Sequence, residues 1–141
     1  PSKLVRGCMR PGFRRPIAGV SGGRLVVAGG ANFPDRKPWD GGTKVWSDAV
    51  LALDRPDGTW ARVGTLPRPL GYGVSVTVGD SVWCFGGSDA TRHHADGFKL
   101  TLKDGKLETE PLPPLPRPCA NAAWAVAAGY LFVVGGTDRP D

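Results

Sequence analysis

An all-β chain of repeated four-stranded sheets, set radially like the blades of a propeller, is what this sequence predicts. Three observations carry the prediction. An apolar run that stops at a Gly-Gly pair occurs three times: Leu25-Val26-Val27-Ala28-Gly29-Gly30, Ser81-Val82-Trp83-Cys84-Phe85-Gly86-Gly87 and Tyr130-Leu131-Phe132-Val133-Val134-Gly135-Gly136. The pairs lie 57 and 49 residues apart, a period that belongs to propeller repeats. Leu66-Pro67-Arg68-Pro69 returns as Leu115-Pro116-Arg117-Pro118, 49 residues on. Five residues rich in Val, Leu and Phe suit a strand buried on both faces. The glycine pair then lets the chain leave a crowded sheet abruptly.

The elements follow in order. Residues 1–16 read as an irregular lead-in, broken by Pro11 and Pro16. Residues 17–20 and 24–28 are two strands joined by the turn Ser21-Gly22-Gly23. Residues 31–47 form a long irregular segment. Residues 48–54 and 59–63 are a third and fourth strand across Arg55-Pro56-Asp57-Gly58, with Pro and Gly where a β-turn favours them. Trp60 is expected to point inward, and Leu107 to fill the matching place one repeat later. The second blade covers 73–110. Its hairpins close on Gly79-Asp80 and Asp104-Gly105, and 88–95 is its long loop. Residues 121–127 and 130–134 open a third blade within 121–141. Blade one is 17–63. The result is about two and a half four-stranded blades, with the small-residue strands at 73–77 and 122–127 innermost. A period near 50 ending in Gly-Gly marks the repeats as kelch-type. Two and a half blades cannot close a ring, so remaining blades or self-association are expected to cover the open faces.

Composition removes several alternatives. No Gly-Gly pair is followed by Lys-Ser or Lys-Thr and a helical pattern, so a phosphate loop is disfavoured. Cys8, Cys84 and Cys119 are too far apart for a zinc motif. No apolar run reaches the ~18 residues of a membrane helix, and no membrane partner is expected. The net charge of +5 favours anionic ligands. The aromatics lie mostly in strands rather than along a basic stripe, so nucleic acid is not an expected partner. No metal and no cofactor is expected.

An up-and-down blade sorts its loops onto two rims. The first-to-second and third-to-fourth turns are all tight. The second-to-third loops and the LPRP linkers share the other rim and hold everything long and chemically mixed. Binding groups sit on loops held by a rigid frame, so this second rim is the expected site. Its residues include Asn32, Asp35, Arg36, Lys37, Trp39, Asp40, Lys44, Trp46, Tyr72, Asp89, Arg92, His93, His94 and Asn121. Cations beside amides and aromatic rings suit a polar anion such as an acidic sugar. Of the His93-His94 pair, one side chain is expected to pack and the other to face the site. Trp39 and Trp46 are expected to pin the long loop.

The string Gly29-Gly30-Ala31-Asn32-Phe33-Pro34-Asp35, continued by Lys37-Pro38-Trp39-Asp40-Gly41-Gly42-Thr43-Lys44-Val45-Trp46, resembles one kelch subgroup. It is similar to the bacterial N-acetylneuraminate epimerases (sialic acid mutarotases) and their cyclically permuted relatives. The likeness continues through Leu66-Pro67-Arg68-Pro69-Leu70-Gly71-Tyr72-Gly73, Gly86-Gly87-Ser88-Asp89 and Arg92-His93, and covers roughly residues 17–136. The resemblance implies a six-bladed propeller, interconversion of sialic acid anomers, and a periplasmic or secreted location. It places the family's catalytic carboxylate and arginine in a later blade, so the catalytic residues are unknown here. Asn32, Lys44, Arg92 and His93 are the substrate-facing groups it leaves to this stretch. The competing reading is a non-catalytic kelch module that binds a protein or glycan, alone or as an accessory to another carbohydrate enzyme.

Overall fold

The computed structural model describes residues 13–140. Its strands are β1 (Ile17–Ser21), β2 (Arg24–Ala28), β3 (Ala31–Asn32), β4 (Val45–Trp46), β5 (Ala49–Leu53), β6 (Ala61–Thr65), β7 (Val74–Val78), β8 (Ser81–Phe85), β9 (Gly97–Lys103), β10 (Lys106–Leu112), β11 (Ala120–Ala127) and β12 (Tyr130–Thr137). Two four-stranded antiparallel sheets run β1-β2-β5-β6 and β7-β8-β9-β10, followed by the hairpin β11-β12. Strand β1 lies against β7, and β7 against β11, while β6 meets β10 further out. First strands therefore converge and fourth strands form the periphery. This is the kelch propeller architecture that the repeats predict.

The core lies between the first two blades. Ile17, Val26, Ala28, Val50 and Ala52 of one sheet pack with Val82, Cys84, Phe98, Leu100 and Leu102 of the next, and linker residues Leu66 and Leu70 close one end. Burial pushes the Cys84 thiol far above its usual range, because a thiolate there would lose its water. Cys84 is thus an inert apolar filler.

Hydrogen bonds seal the seam near the axis. The free edge of β1 would expose unpaired amides, which are costly when withdrawn from water. Ala18 N–H donates to Ser75 Oγ (3.2 Å) and Val20 N–H to Thr77 Oγ1 (2.9 Å). Small hydroxyl side chains on β7 therefore replace a fifth strand. At the tight-turn rim the fully buried Ser21 Oγ donates to the Asp80 carbonyl (2.6 Å) and accepts from Leu102 N–H (2.7 Å).

A second seam explains the glycine pairs. The amide of Gly30 donates to the Leu70 carbonyl and that of Gly87 to the Cys119 carbonyl, both at 2.8 Å. In each case the linker to the next blade has swung in against the doublet. A Cβ on Gly29 would run into the Leu70 carbonyl, and one on Gly86 into that of Cys119. Both glycines also have positive φ, 66° and 64°. Gly135 has the same backbone, φ 74°, but faces open space.

Several local expectations need correction. Trp60 precedes β6 and is half-buried rather than inward, because the ladder with β5 stops at the Ala52–Ala61 pair after an irregularity at Val50/Leu51. Leu107 does pack on the core, against Gly64 of the neighbouring fourth strand. The 31–47 segment is less irregular than its composition implies: β3 pairs with β4, and Pro38–Asp40 makes one 3-10 turn. Trp39 sits on that turn 72% exposed, so it pins nothing. Residues 1–12, with Arg6, Cys8 and Arg10 of the expected lead-in, lie outside the described residues, as does Asp141.

Gly86→Ala is expected to destabilise the protein by about 2–4 kcal/mol, from left-handed strain plus a backbone collision. Gly105→Ala, at a positive φ but with nothing near its Cβ, should cost only about 1–2 kcal/mol. Denaturant midpoints of the two variants check the difference. Ser21→Ala strands a buried donor and acceptor and should cost about 1–3 kcal/mol by the same measurement.

Candidate functional site

The long loops begin at one repeated corner. Arg14 pairs with Ala31, Gly71 with Ser88, and Ala120 with Thr137, each just after a glycine pair. This brings the 31–47 insert, the linker at Tyr72, the 88–96 loop and the end of β12 onto one rim. The tight turns at Gly22-Gly23 and Gly79-Asp80 meet each other on the opposite rim, where Gly22 N–H donates to Asp80 Oδ1 (2.7 Å).

On the loop rim, Lys44, Trp46, Tyr72, Asp89, His93 and Asn121 surround a cavity of about 320 Å³. The Lys44 ammonium sits 4.2 Å from the Trp46 ring centre and 4.3 Å from that of Tyr72. The two rings are tilted against each other at 5.4 Å. Their electron-rich faces hold the cation at the cavity wall. Trp46 is thus a half-buried pin for the loop, as expected.

The two histidines are both buried and bond in different directions. His94, its side chain 4% exposed, packs. Its Nδ1 meets Arg68 Nη1 at 2.9 Å and its Nε2 meets Asp89 Oδ2 at 2.7 Å. An Arg can only donate, so Nδ1 accepts and Nε2–H donates, the neutral tautomer. Arg68 also binds Asp96 at 2.5 Å. Asp89 caps its own loop: Oδ1 accepts from Thr91 N–H (2.7 Å), Thr91 Oγ1 (2.8 Å) and Arg92 N–H (3.0 Å). Burial alone would raise the Asp89 pKa, but the donors at Thr91, Arg92 and His94 outweigh it and hold the carboxyl well below the usual carboxylate range. Asp96 is lowered too, chiefly by its bond from Arg68.

His93 points the other way. It is 8% exposed, its Nε2 lies 3.0 Å from Thr137 Oγ1, and its buried Nδ1 has no partner among the described residues. A buried nitrogen left unpaired is costly.

Of the four residues singled out from the sequence, the cavity thus gathers Lys44 and His93. Arg92 is exposed on the loop beyond it. Asn32 is buried and borders a separate cleft with Arg14, Lys37 and Trp39. It occupies in the first blade the place Asp89 has in the second. Sequence reasoning missed Arg68 and Thr137. The repetition of LPRP hinted at Arg68, but its pairing with His94 and Asp96 needed the fold. Among the described residues, no three His, Cys, Asp or Glu gather as a metal-ligand set.

Acid should weaken the Asp89 loop. A depressed carboxyl pKa gives stability that is complete above the unfolded value near 4 and drains away as pH falls through the folded value. Urea midpoints are expected to drop between pH 5 and pH 3. Asp89→Asn should flatten that drop while costing about 1–3 kcal/mol at pH 7.

The profile of the N-acetylneuraminate epimerase family matches residues 3–109. The N-acetylneuraminate epimerase of Salmonella enteritidis PT4 is 38% identical over 106 residues, which are 68% of this chain and 27% of that protein. The N-acetylneuraminate epimerase of Haemophilus influenzae (strain 86-028NP) is 34% identical over 113 residues, 74% of this chain and 30% of that protein. The solved structure of YjhT superposes with a TM-score of 0.62 at 28% identity, covering 70% of this chain and 31% of that one. The chain therefore spans less than a third of these relatives, and it belongs to the N-acetylneuraminate epimerase family.

Proposed function

We propose that this chain supplies part of the substrate face of a complete propeller that interconverts the anomers of an acidic sugar such as N-acetylneuraminate. The observation that carries the reading is the Lys44 cation held by the Trp46 and Tyr72 rings at the wall of a cavity that His93 and Asn121 also line. A carboxylated sugar matches that wall: its carboxylate answers the ammonium, and its hydroxyls meet the Asn121 amide. Tyr72 and Trp46 offer apolar faces to the sugar ring. In this reading Arg92 adds an exposed cation at the outer rim, and Asn32, buried in β3, supports the insert.

Mutarotation opens and recloses a hemiketal. One group must take the proton of the anomeric hydroxyl and another must protonate the ring oxygen. The cavity's carboxylate, Asp89, is already committed to four donors on its own loop. The proton-transfer groups are therefore assigned to other blades of the propeller, and the groups here to binding and orientation.

Further blades have a docking surface ready. Trp124 and Val126 on one face of β11–β12, and Tyr130, Phe132 and Val134 on the other, are 44–70% exposed, apolar area of a kind uncommon on a free surface. The empty space at Gly135, where Gly29 and Gly86 each meet the next linker, supports the same reading.

With the complete protein, NMR of freshly released α-N-acetylneuraminate is expected to show anomer exchange faster than in buffer. Exchange at the buffer rate would remove the mutarotase reading and leave a binding module. Lys44→Met should lower kcat/KM about tenfold or more, as for loss of a hydrogen bond to a charged group. Residues 13–140 alone should elute from size exclusion as an associated species; a compact monomer would contradict the docking surface.

A further inference from the structure

Three residues stand where the linker turns into the first strand of a blade: Arg15, Tyr72 and Asn121. They are separated by 57 and 49 residues, the same intervals as the glycine pairs. All three have left-handed backbones, with φ of 47°, 63° and 62°. Among the described residues only two other non-glycine positions share that region, Asp104 and Ala128. Both lie in tight hairpin turns beside a glycine, where such a backbone is required by the turn. Side chains pay for this conformation and glycine does not. The chain uses glycine freely on both sides of Tyr72, at Gly71 and Gly73, yet not at that place in any of the three blades.

The three are also joined. Tyr72 N–H donates to the Arg15 carbonyl, and Asn121 N–H to the Tyr72 carbonyl, each at 3.0 Å. This backbone chain runs around the mouth from blade to blade. It makes the same demand on the main chain at each step. Yet the side chains there are a cation, a phenol and an amide, so the backbone does not dictate their identity. Tyr72 and Asn121 both line the cavity that holds Lys44 and His93. The Arg15 guanidinium carbon lies 6.0 Å from the Tyr72 ring centre.

We infer that these three positions are a specificity set, in which a repeated strained backbone aims one ligand-reading side chain per blade at the mouth of the propeller. The ligand is a sugar carrying a carboxylate and further polar substituents. The guanidinium of Arg15 faces the anionic side, Tyr72 supplies ring face and hydroxyl, and the Asn121 amide offers one donor and one acceptor to neutral groups. This rests on the acidic-sugar reading above and adds which residues distinguish one such sugar from another.

The test uses the complete propeller carrying Arg15→Gly, Asn121→Gly or Tyr72→Phe. Calorimetric titration with N-acetylneuraminate, glucuronate and N-acetylglucosamine, and thermal unfolding, are measured on each. The glycine variants relieve the backbone, so their Tm is expected to be unchanged or raised, while affinity for the best-bound acidic sugar falls tenfold or more. Tyr72→Phe keeps the ring and should weaken binding without lowering Tm. A purely structural role predicts the reverse: lower Tm with affinity retained. Affinities within twofold of the unaltered protein, or no binding of any of the three sugars by that protein, overturn the inference. An unaltered protein that binds an acidic sugar without accelerating anomer exchange defeats the mutarotase reading alone and leaves the specificity set standing.

Discussion

Everything on the loop rim depends on the bond between the second glycine of a doublet and the linker of the following blade. Gly30 to Leu70 and Gly87 to Cys119 are short backbone contacts, and each is possible only because the preceding glycine has no side chain to block it. The bond fixes where the linker lies. The linker in turn fixes where Tyr72 and Asn121 leave the sheet and where Arg68 reaches His94. A loop of mixed polar residues thereby becomes a wall with set positions. The blades could still stack through Val26, Val50, Val82 and Leu100 without this bond. They would not hold the rim in register.

The electrostatics of the rim are divided in the same way. Asp89, Asp96, Arg68 and His94 satisfy one another and leave little for a ligand. They hold the 88–96 loop. Lys44 is the complement: a cation braced by aromatic rings at the cavity wall. The blade thus separates charges that hold the loop from one that remains available.

Much of this could be read from the sequence because the repeat is written in residues with strong backbone meaning. Glycine pairs, Asp104-Gly105, Gly79-Asp80 and the LPRP linkers mark corners, and the strands between them are buried enough for simple patterning. What escaped reading has specific physical causes. The β3–β4 pairing is two residues long and leaves no periodicity. Trp60 lies beyond the end of a ladder that an irregularity at Val50/Leu51 shortens, and such a shift has no signature in composition. Trp39 is expected to pin the long loop, but a single 3-10 turn carries it outward. In the site, Lys44 and His93 were legible as loop residues of the right chemistry. Arg92 and Asn32 had equal claims by that standard, and only the packing of the loops separates them from the cavity. The positive φ at Arg15 and Tyr72 could not be inferred from residues that usually avoid it, although their interval to each other and to Asn121 was already in the chain.

The glycine–linker bond also orders events during synthesis. Gly30 finds its acceptor only when Leu70 has been made, and Gly87 only when Cys119 has. At roughly 5–20 residues per second on the ribosome, each doublet spends a few seconds with its amide answered by water alone. Growth of the propeller is therefore sequential. A finished blade stays loosely latched until its successor emerges, and a pause in translation between blades would prolong the interval in which its edge is open to unwanted pairing.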